Sequence, residues 1–308
     1  MVKFSICIPA YKSRYLQLCI ESILKQTLTD FELIILNDCS PESVDAIVQQ
    51  FGDKRIKYFK NDQNVGAIDL VKNWNKCLSL ATGEYIMIMG DDDLLAPDYL
   101  EEFSKLIDLY PALHVFHCRS KVINDTGETI MLTPAHPTFE HVYDSIWHRL
   151  EQYRSNYISD FIYHTANLRK QGGFFYLPLA WGSDDITAFI ASRQNGIAHT
   201  NKPIFYYRSN ALSITSTGND LYKMEANMGY SKWLQNFLAE KPVDEDDLVV
   251  YQHLTKNQDR LMQKRKRYTM ILSMRSNRLK KIVFWYRNRK QFGIDAKDIL
   301  MAAIKSLS

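Results

Sequence analysis

Cysteine is scarce in this chain: five residues in 308 (Cys7, Cys19, Cys39, Cys77, Cys118), and none after position 118. An odd, scattered set with no zinc-ligand spacing excludes a disulfide framework and predicts reduced, buried thiols in a cytosolic protein. Only 12 glycines and 9 prolines are present, which excludes collagen-like and low-complexity classes. No apolar run approaches the ~20 residues that cross a bilayer. The apolar start at Phe4–Ile8 is too short for a signal core, is broken by Pro9, and meets Lys12 and Arg14 at once. What is plentiful is core material. The chain is 46% hydrophobic and 12% aromatic, enough for one large or two small globular domains and too much for disorder.

The net charge of +3 hides an asymmetry. Residues 256–290 hold 13 Lys+Arg against one acid, Asp259, and residues 291–308 balance two against two. Residues 1–255 therefore carry −9. A basic stretch on an acidic body suggests an anionic partner.

Hydrophobic patterning in the first hundred residues alternates. Lys3–Ile8, Phe31–Leu36, Ile56–Lys60 and Glu84–Met89 read as strands, and Tyr15–Lys25, Ser43–Phe51 and Ala67–Ala81 as helices. Strands apolar throughout and separated by helices predict an α/β fold with a mostly parallel sheet covered on both faces. Residues 112–220 are mixed, with strands at Leu113–Cys118, Ile197–His199 and Ile204–Tyr207 and helices at Asp144–Tyr153 and Asp184–Gln194. Beyond about 220 the chain reads as helical, polar and basic.

Ligands bind at the carboxyl ends of strands in such sheets. Three polar clusters fall there: Pro9–Lys12, Asn37–Ser40 and Gly90–Asp93. Asp91, Asp92 and Asp93 at the end of a buried strand repel one another unless a cation offsets them, and hard carboxylate oxygens suit Mg²⁺ or Mn²⁺. The plainer reading is a solvated acidic turn that caps the next helix.

A resemblance carried by several motifs favours the first reading. Ser5-Ile6-Cys7-Ile8-Pro9-Ala10-Tyr11, Glu32–Ser40 with Asp38, Asn64-Val65-Gly66 followed by Asn73, and Ala81–Ile86 leading to Gly90–Asp93 and Pro97 occur in sequence. Together they resemble the inverting family 2 glycosyltransferases, which have the GT-A fold. The resemblance covers residues 1–215, leaving 216–308 as a helical, Lys/Arg-rich extension. It implies a nucleotide-diphospho-sugar donor in a pocket lined by Pro9, Tyr11, Asn64, Gly66 and Asn73. It also implies Asp38 against uracil, Asp91 beside the ribose and Asp92 as the metal ligand. Many members have aspartate where this chain has Gly90, so one protein ligand is expected rather than two.

Further on, Arg169–Phe174 and Trp181-Gly182-Ser183-Asp184-Asp185 resemble the family's glycine pair and acidic motif, whose second acid is the catalytic base. That role carries over to Asp185. Helical geometry points the same way, since Asp185 lies roughly 95° from the centre of the apolar face set by Ile186, Phe189 and Ile190, against roughly 165° for Asp184. Tyr206–Ser213 resembles the segment near the diphosphate, with Arg208 as a phosphate partner and Asn210 where histidine is common.

Other chemistry is set aside. Pro9–Ser13 has no glycine, which excludes the dinucleotide fingerprint, and the Lys-containing loop of sugar nucleotidyltransferases is missing. His114, His117 and Cys118 lie in one strand with His117 on the opposite face, so a zinc site there is not expected. Gly172-Gly173 is read as a turn. Residues 256–290 are either a solvated surface or a contact for an anionic membrane, because Leu279–Arg287 mixes basic and aromatic residues; no nucleic-acid module accompanies them. The expected protein is cytoplasmic, or peripheral at the inner membrane face. It transfers sugar to a growing, lipid-linked or free surface glycan, or else serves as a catalytically weak nucleotide-sugar-binding scaffold.

Overall fold

The computed structural model describes residues 2–210 and 219–307. The chain divides into two compact units. The first comprises Met1–Val142, Arg154–Tyr176 and Ser183–Asn210, and the second Tyr143–Tyr153, Leu177–Gly182 and Ala211–Ser308. Two short segments from within the span 1–215, Tyr143–Tyr153 and Leu177–Gly182, thus group with the C-terminal helices.

The first unit is built on a ten-stranded sheet, order β3-β2-β1-β4-β9-β6-β10-β5, with β7 paired to β6 and β8 to β10. Strands β1 (Phe4–Ala10), β2 (Phe31–Asn37), β3 (Ile56–Lys60) and β4 (Tyr85–Ile88) form one parallel run. Helices α1 (Leu16–Leu24), α2 (Val44–Val48) and α3 (Leu70–Leu80) connect them. Strands β1, β2 and β4 are buried along nearly their whole length, as their unbroken apolar sequences require. Antiparallel members enter in the later half: β5 (Leu94–Leu95), β7 (Thr129–Leu132), β8 (Phe139–Glu140) and β9 (Phe161–His164). Strand β9 separates two parallel blocks, β1 to β4 on one side and β6 (Val115–Ile123) with β10 (Ile197–Arg208) on the other.

Pro203 makes Ile197–His199 and Ile204–Tyr207 look like two strands. They are one, β10, carried past the proline by register shifts on both sides of it. Helix α4 (Tyr99–Leu109) covers the sheet with Tyr99, Leu100, Phe103, Leu106 and Ile107, which join the main core around Ile6, Ile8, Leu33 and Met87. Four thiols are buried as expected; Cys39 is only half-buried, in a turn where its φ is +50°.

The second unit is helical: α8 (Asp220–Phe237), α9 (Glu245–Met274), α10 (Arg278–Phe292) and α11 (Ala296–Lys305), preceded by α5 (Val142–Leu150). Asp244 and Asn277 cap α9 and α10 by accepting from main-chain N–H groups of the first turn. Met224, Met270, Met274, Trp285, Phe292 and Ile299 form its core. Within Leu279–Arg287, Trp285 belongs to this core and to no interfacial face: it is fully buried, its Nε1 donating to Ser273 Oγ at 3.2 Å. Much of the basic charge is also used internally. Arg260 and Lys264 pair with Glu151, Arg267 with Asp298, and Lys281 with Asp220.

Candidate active site

The parallel register brings the ends of β1, β2 and β4 side by side, with Ala10 opposite Asn37 and Cys7 opposite Ile88. The chain must leave the sheet at each of these points, and there the polar clusters collect.

Asp38 follows β2 and is 5% exposed. Its Oδ1 accepts from Asn61 Nδ2 at 2.8 Å and Val65 N at 3.0 Å. The Asn61 amide also donates to Asn73 Oδ1 at 2.9 Å, and Lys76 Nζ donates to Asn61 Oδ1 at 2.7 Å. Asn61, which the sequence reading missed, therefore joins Asp38 to Asn73. Its signal was present: it is the polar residue directly after β3, at the same end of the sheet. Gly66, at φ +75°, starts the turn before α3, with Asn64 Oδ1 close to where its side chain would lie.

The aspartates after β4 take three different positions. Asp91 is buried, and its Oδ2 accepts from the main-chain N–H of Tyr11 at 2.8 Å and of Lys12 at 2.7 Å. It thereby fixes the loop after Pro9, on which Tyr11 is 42% exposed. Asp93 is buried and accepts from Arg208 N at 2.7 Å. Asp92 projects more freely, with Oδ2 accepting from Asn210 Nδ2 at 2.7 Å and lying 3.7 Å from Lys12 Nζ. Burial, and next the Asp92 charge, push Asp91 up to about 6 and Asp93 well above the usual carboxylate range. Such crowded hard oxygens fit a divalent cation, with Asp92 as the least committed donor. A Cβ at position 90 would stand 2.5 Å from Asp93 Oδ2. The carboxylate of Asp93 thus fills the space that a side chain at Gly90 would need.

Arg208 is 2% exposed, its Nε donates to Asp92 O at 2.8 Å and its Nη1 to Asn124 O at 2.8 Å, and it stacks on Tyr15 at 4.2 Å. These bonds tie the main chain at Asp92 to the loop after β6. Asn210 is likewise a partner of Asp92. Ala211, Leu212 and Ser213 of the same motif, and the 215/216 boundary, lie outside the described residues.

Asp185 lies in the first turn of α7 (Ser183–Ser192) and is fully buried, whereas Asp184 is half-buried. The glycine pair holds this helix in place. Gly173 has φ +84°, and any side chain there would strike Asn75, whose Oδ1 accepts from Phe174 N at 2.8 Å. Phe175 N then donates to Thr187 Oγ1 of α7 at 2.9 Å. Tyr163 on β9 faces both acids, and burial followed by their charge raises its hydroxyl well above its ordinary range.

The model of glycosyl transferase family 2 matches residues 5–174, more than half of the chain, and the chain belongs to that family. The fold is that of solved GT-A enzymes. It matches Staphylococcus aureus TarS 1–349 in complex with UDP-GlcNAc at TM-score 0.66 and 19% identity, over 99% of this chain and 91% of that one. It also matches mannosyltransferase PcManGT from Pyrobaculum calidifontis in complex with GDP-Man and Mn²⁺ at TM-score 0.56 and 13% identity, over 99% and 87%. Among curated relatives, the S. aureus poly(ribitol-phosphate) beta-N-acetylglucosaminyltransferase TarS is 29% identical over 41% of this chain and 22% of its own length. An Escherichia coli K12 glycosyl transferase assigned by name to colanic acid biosynthesis is 37% identical over 32% and 36%. The matches thus span well under half the length of these relatives. The chain thus carries a family 2 glycosyl transferase domain, and its relatives include proteins of polysaccharide biosynthesis. No helix among the described residues is long and apolar enough to cross a membrane.

Proposed function

We propose that residues 1–215 form a metal-dependent, inverting sugar transferase that moves a sugar from a uridine-diphosphate donor to a hydroxyl of a growing glycan. The observation that carries the reading is the meeting, at one end of β1, β2 and β4, of the Asp38–Asn61–Asn73 network with the crowded aspartates. Asp38 accepts a base N–H, while Pro9, Tyr11, Asn64, Gly66 and Asn73 shape the nucleotide pocket and Asp91 holds its loop beside the ribose. The TarS complex with UDP-GlcNAc supports a uridine donor, and the names of TarS and the E. coli relative support a glycan acceptor.

Asp92 would hold Mg²⁺ or Mn²⁺, which when bound offsets the charge that builds on the departing diphosphate. Asp185 removes the proton of the acceptor hydroxyl as its oxygen attacks the anomeric carbon. General-base help of this kind contributes roughly 10²–10⁴-fold. One displacement inverts the centre, and no protein nucleophile is needed.

Residues 256–290 support a peripheral location at the inner membrane face. Leu279, Val283 and Tyr286 are exposed on one stripe of α10, flanked by exposed Arg275, Lys280, Arg287 and Lys290. Anionic vesicles should bind the protein less as salt rises, and Leu279→Ser with Val283→Ser should weaken that binding; equal binding by both proteins would leave a solvated surface. The central test is turnover of a nucleotide-sugar panel with Mn²⁺. Sugar transfer or donor hydrolysis is expected with a uridine donor. Tight donor binding without either reaction would favour the catalytically weak scaffold.

A further inference from the structure

The first unit also holds a buried histidine cluster that the transfer reaction does not use. His117 on β6 and His199 on β10 are register partners, and their Nδ1 atoms lie 3.1 Å apart. His136, from the loop between β7 and β8, places its ring centroid 4.5 Å from that of His117 and 4.6 Å from that of His199. One ring nitrogen from each lies within 4.8 Å of the other two. The three residues are 1%, 8% and 3% exposed, and neither ring nitrogen of His136 has a hydrogen-bond partner.

An imidazole buried without a partner costs free energy, so its placement calls for a ligand. The loop is held against that cost: His136 N donates to Asn201 Oδ1 at 2.9 Å, and Asn201 Nδ2 donates back to His136 O at 2.8 Å. On the far side of the rings stand carboxylates. Glu140 Oε1 lies 3.2 Å from His199 Nε2, and Asp160 Oδ2 lies 3.7 Å from His117 Nε2. Glu140 and Asp160 thus stand on the Nε2 side of His199 and His117 while the two Nδ1 atoms face each other, and carboxylates so placed can support metal-bound histidines. Nitrogens 3.1 Å apart also suit two bonds of about 2.0–2.1 Å to one tetrahedral ion.

We propose that His117, His136 and His199 form a nitrogen-donor site for a zinc-class transition-metal ion, distinct from the oxygen-donor site at Asp92, with Glu140 and Asp160 orienting the rings. The ion would tie β6, β10 and the β7–β8 loop together, a structural task that suits Zn²⁺ and that Mg²⁺ or Mn²⁺, which prefer oxygen, would perform poorly.

Co²⁺ distinguishes the two sites, because tetrahedral nitrogen ligation gives intense visible absorption and octahedral oxygen ligation only a faint band. The full-length protein should develop the intense band at one Co²⁺ per chain, and Zn²⁺ should displace it and raise the melting temperature. Asp92→Asn should keep the band, whereas His136→Gln and His199→Gln should lose it while staying folded by circular dichroism. Wild-type protein without the intense band would overturn the proposal and leave a triad held only by its own hydrogen bonds. So would a band that survives both histidine substitutions.

Discussion

Two acidic sites, one in each unit, show opposite electrostatics. At the end of β4, burial and a neighbouring like charge push Asp91 up to about 6 and Asp93 well above its normal range. In the second unit, Glu151 is drawn down to about 2 by Arg260, against its burial, with Lys264 assisting. Among the described residues the first cluster has one ion pair, Lys12 with Asp92 at 3.7 Å, shared among three carboxylates; the second has two cations, Arg260 and Lys264, on a single carboxylate. A carboxylate held against repulsion is a candidate for binding a metal, while one already clamped by cations serves the fold. The contrast teaches that an acidic cluster is informative only once its partners are known.

Breaking the first site should have the largest effect. Asp92→Ala should abolish both turnover and its dependence on divalent ions, yet leave the melting temperature of metal-free protein undiminished, since one repelling charge is gone. Full turnover by this variant in Mn²⁺ would remove Asp92 from the metal site.

Next in size is the base. Asp185→Asn should keep donor binding and lose about 10²-fold or more in turnover at saturating donor, because an amide of nearly the same shape cannot take a proton. Asp184→Asn should lose much less, and the reverse order would exchange their roles.

A smaller loss is expected at the base-recognition corner. Asp38→Ala should weaken uridine diphosphate binding, read by calorimetry, by ~1–3 kcal/mol, the scale of a charged hydrogen bond. Tighter binding of guanosine than of uridine diphosphate would contradict the assignment of Asp38 to uracil.

The smallest effect belongs to the second site. Glu151→Gln should cost about 1 kcal/mol of stability with turnover unchanged, because its partners are partly solvated. The sign of the pH dependence is fixed: a carboxyl lowered from 4.5 to about 2 stabilises above its unfolded value. That contribution should fade as pH drops from about 4.5 toward 2, and Glu151→Gln should flatten the melting curve in this window.

Strand and helix patterning made the β1–α1–β2–α2–β3–α3–β4 run legible, because continuous apolar strands and helical spacing leave few alternatives. Helix α4 was equally legible from Leu100, Phe103, Leu106 and Ile107, though the sequence reading leaves it out. Strand β9 was not: four residues bounded by Asp160 and the start of α6 (Thr165–Lys170) carry too little periodicity. Asp38, Asp91, Asp92 and Asp185 stand out in the sequence because they sit in local motifs. The carbonyl contacts of Arg208 were not legible, since only the tertiary structure brings its guanidinium to residues 92 and 124.

By itself the sequence determined the α/β class, the carboxyl-end location of the polar clusters and the family, all of which follow from short-range pattern and order. Tertiary structure alone decided which carboxylates are compensated, that Trp285 is core, and that His117 meets His136 and His199. Those outcomes rest on packing between residues far apart in the chain, where burial and neighbouring charge, rather than residue type, set what a side chain does.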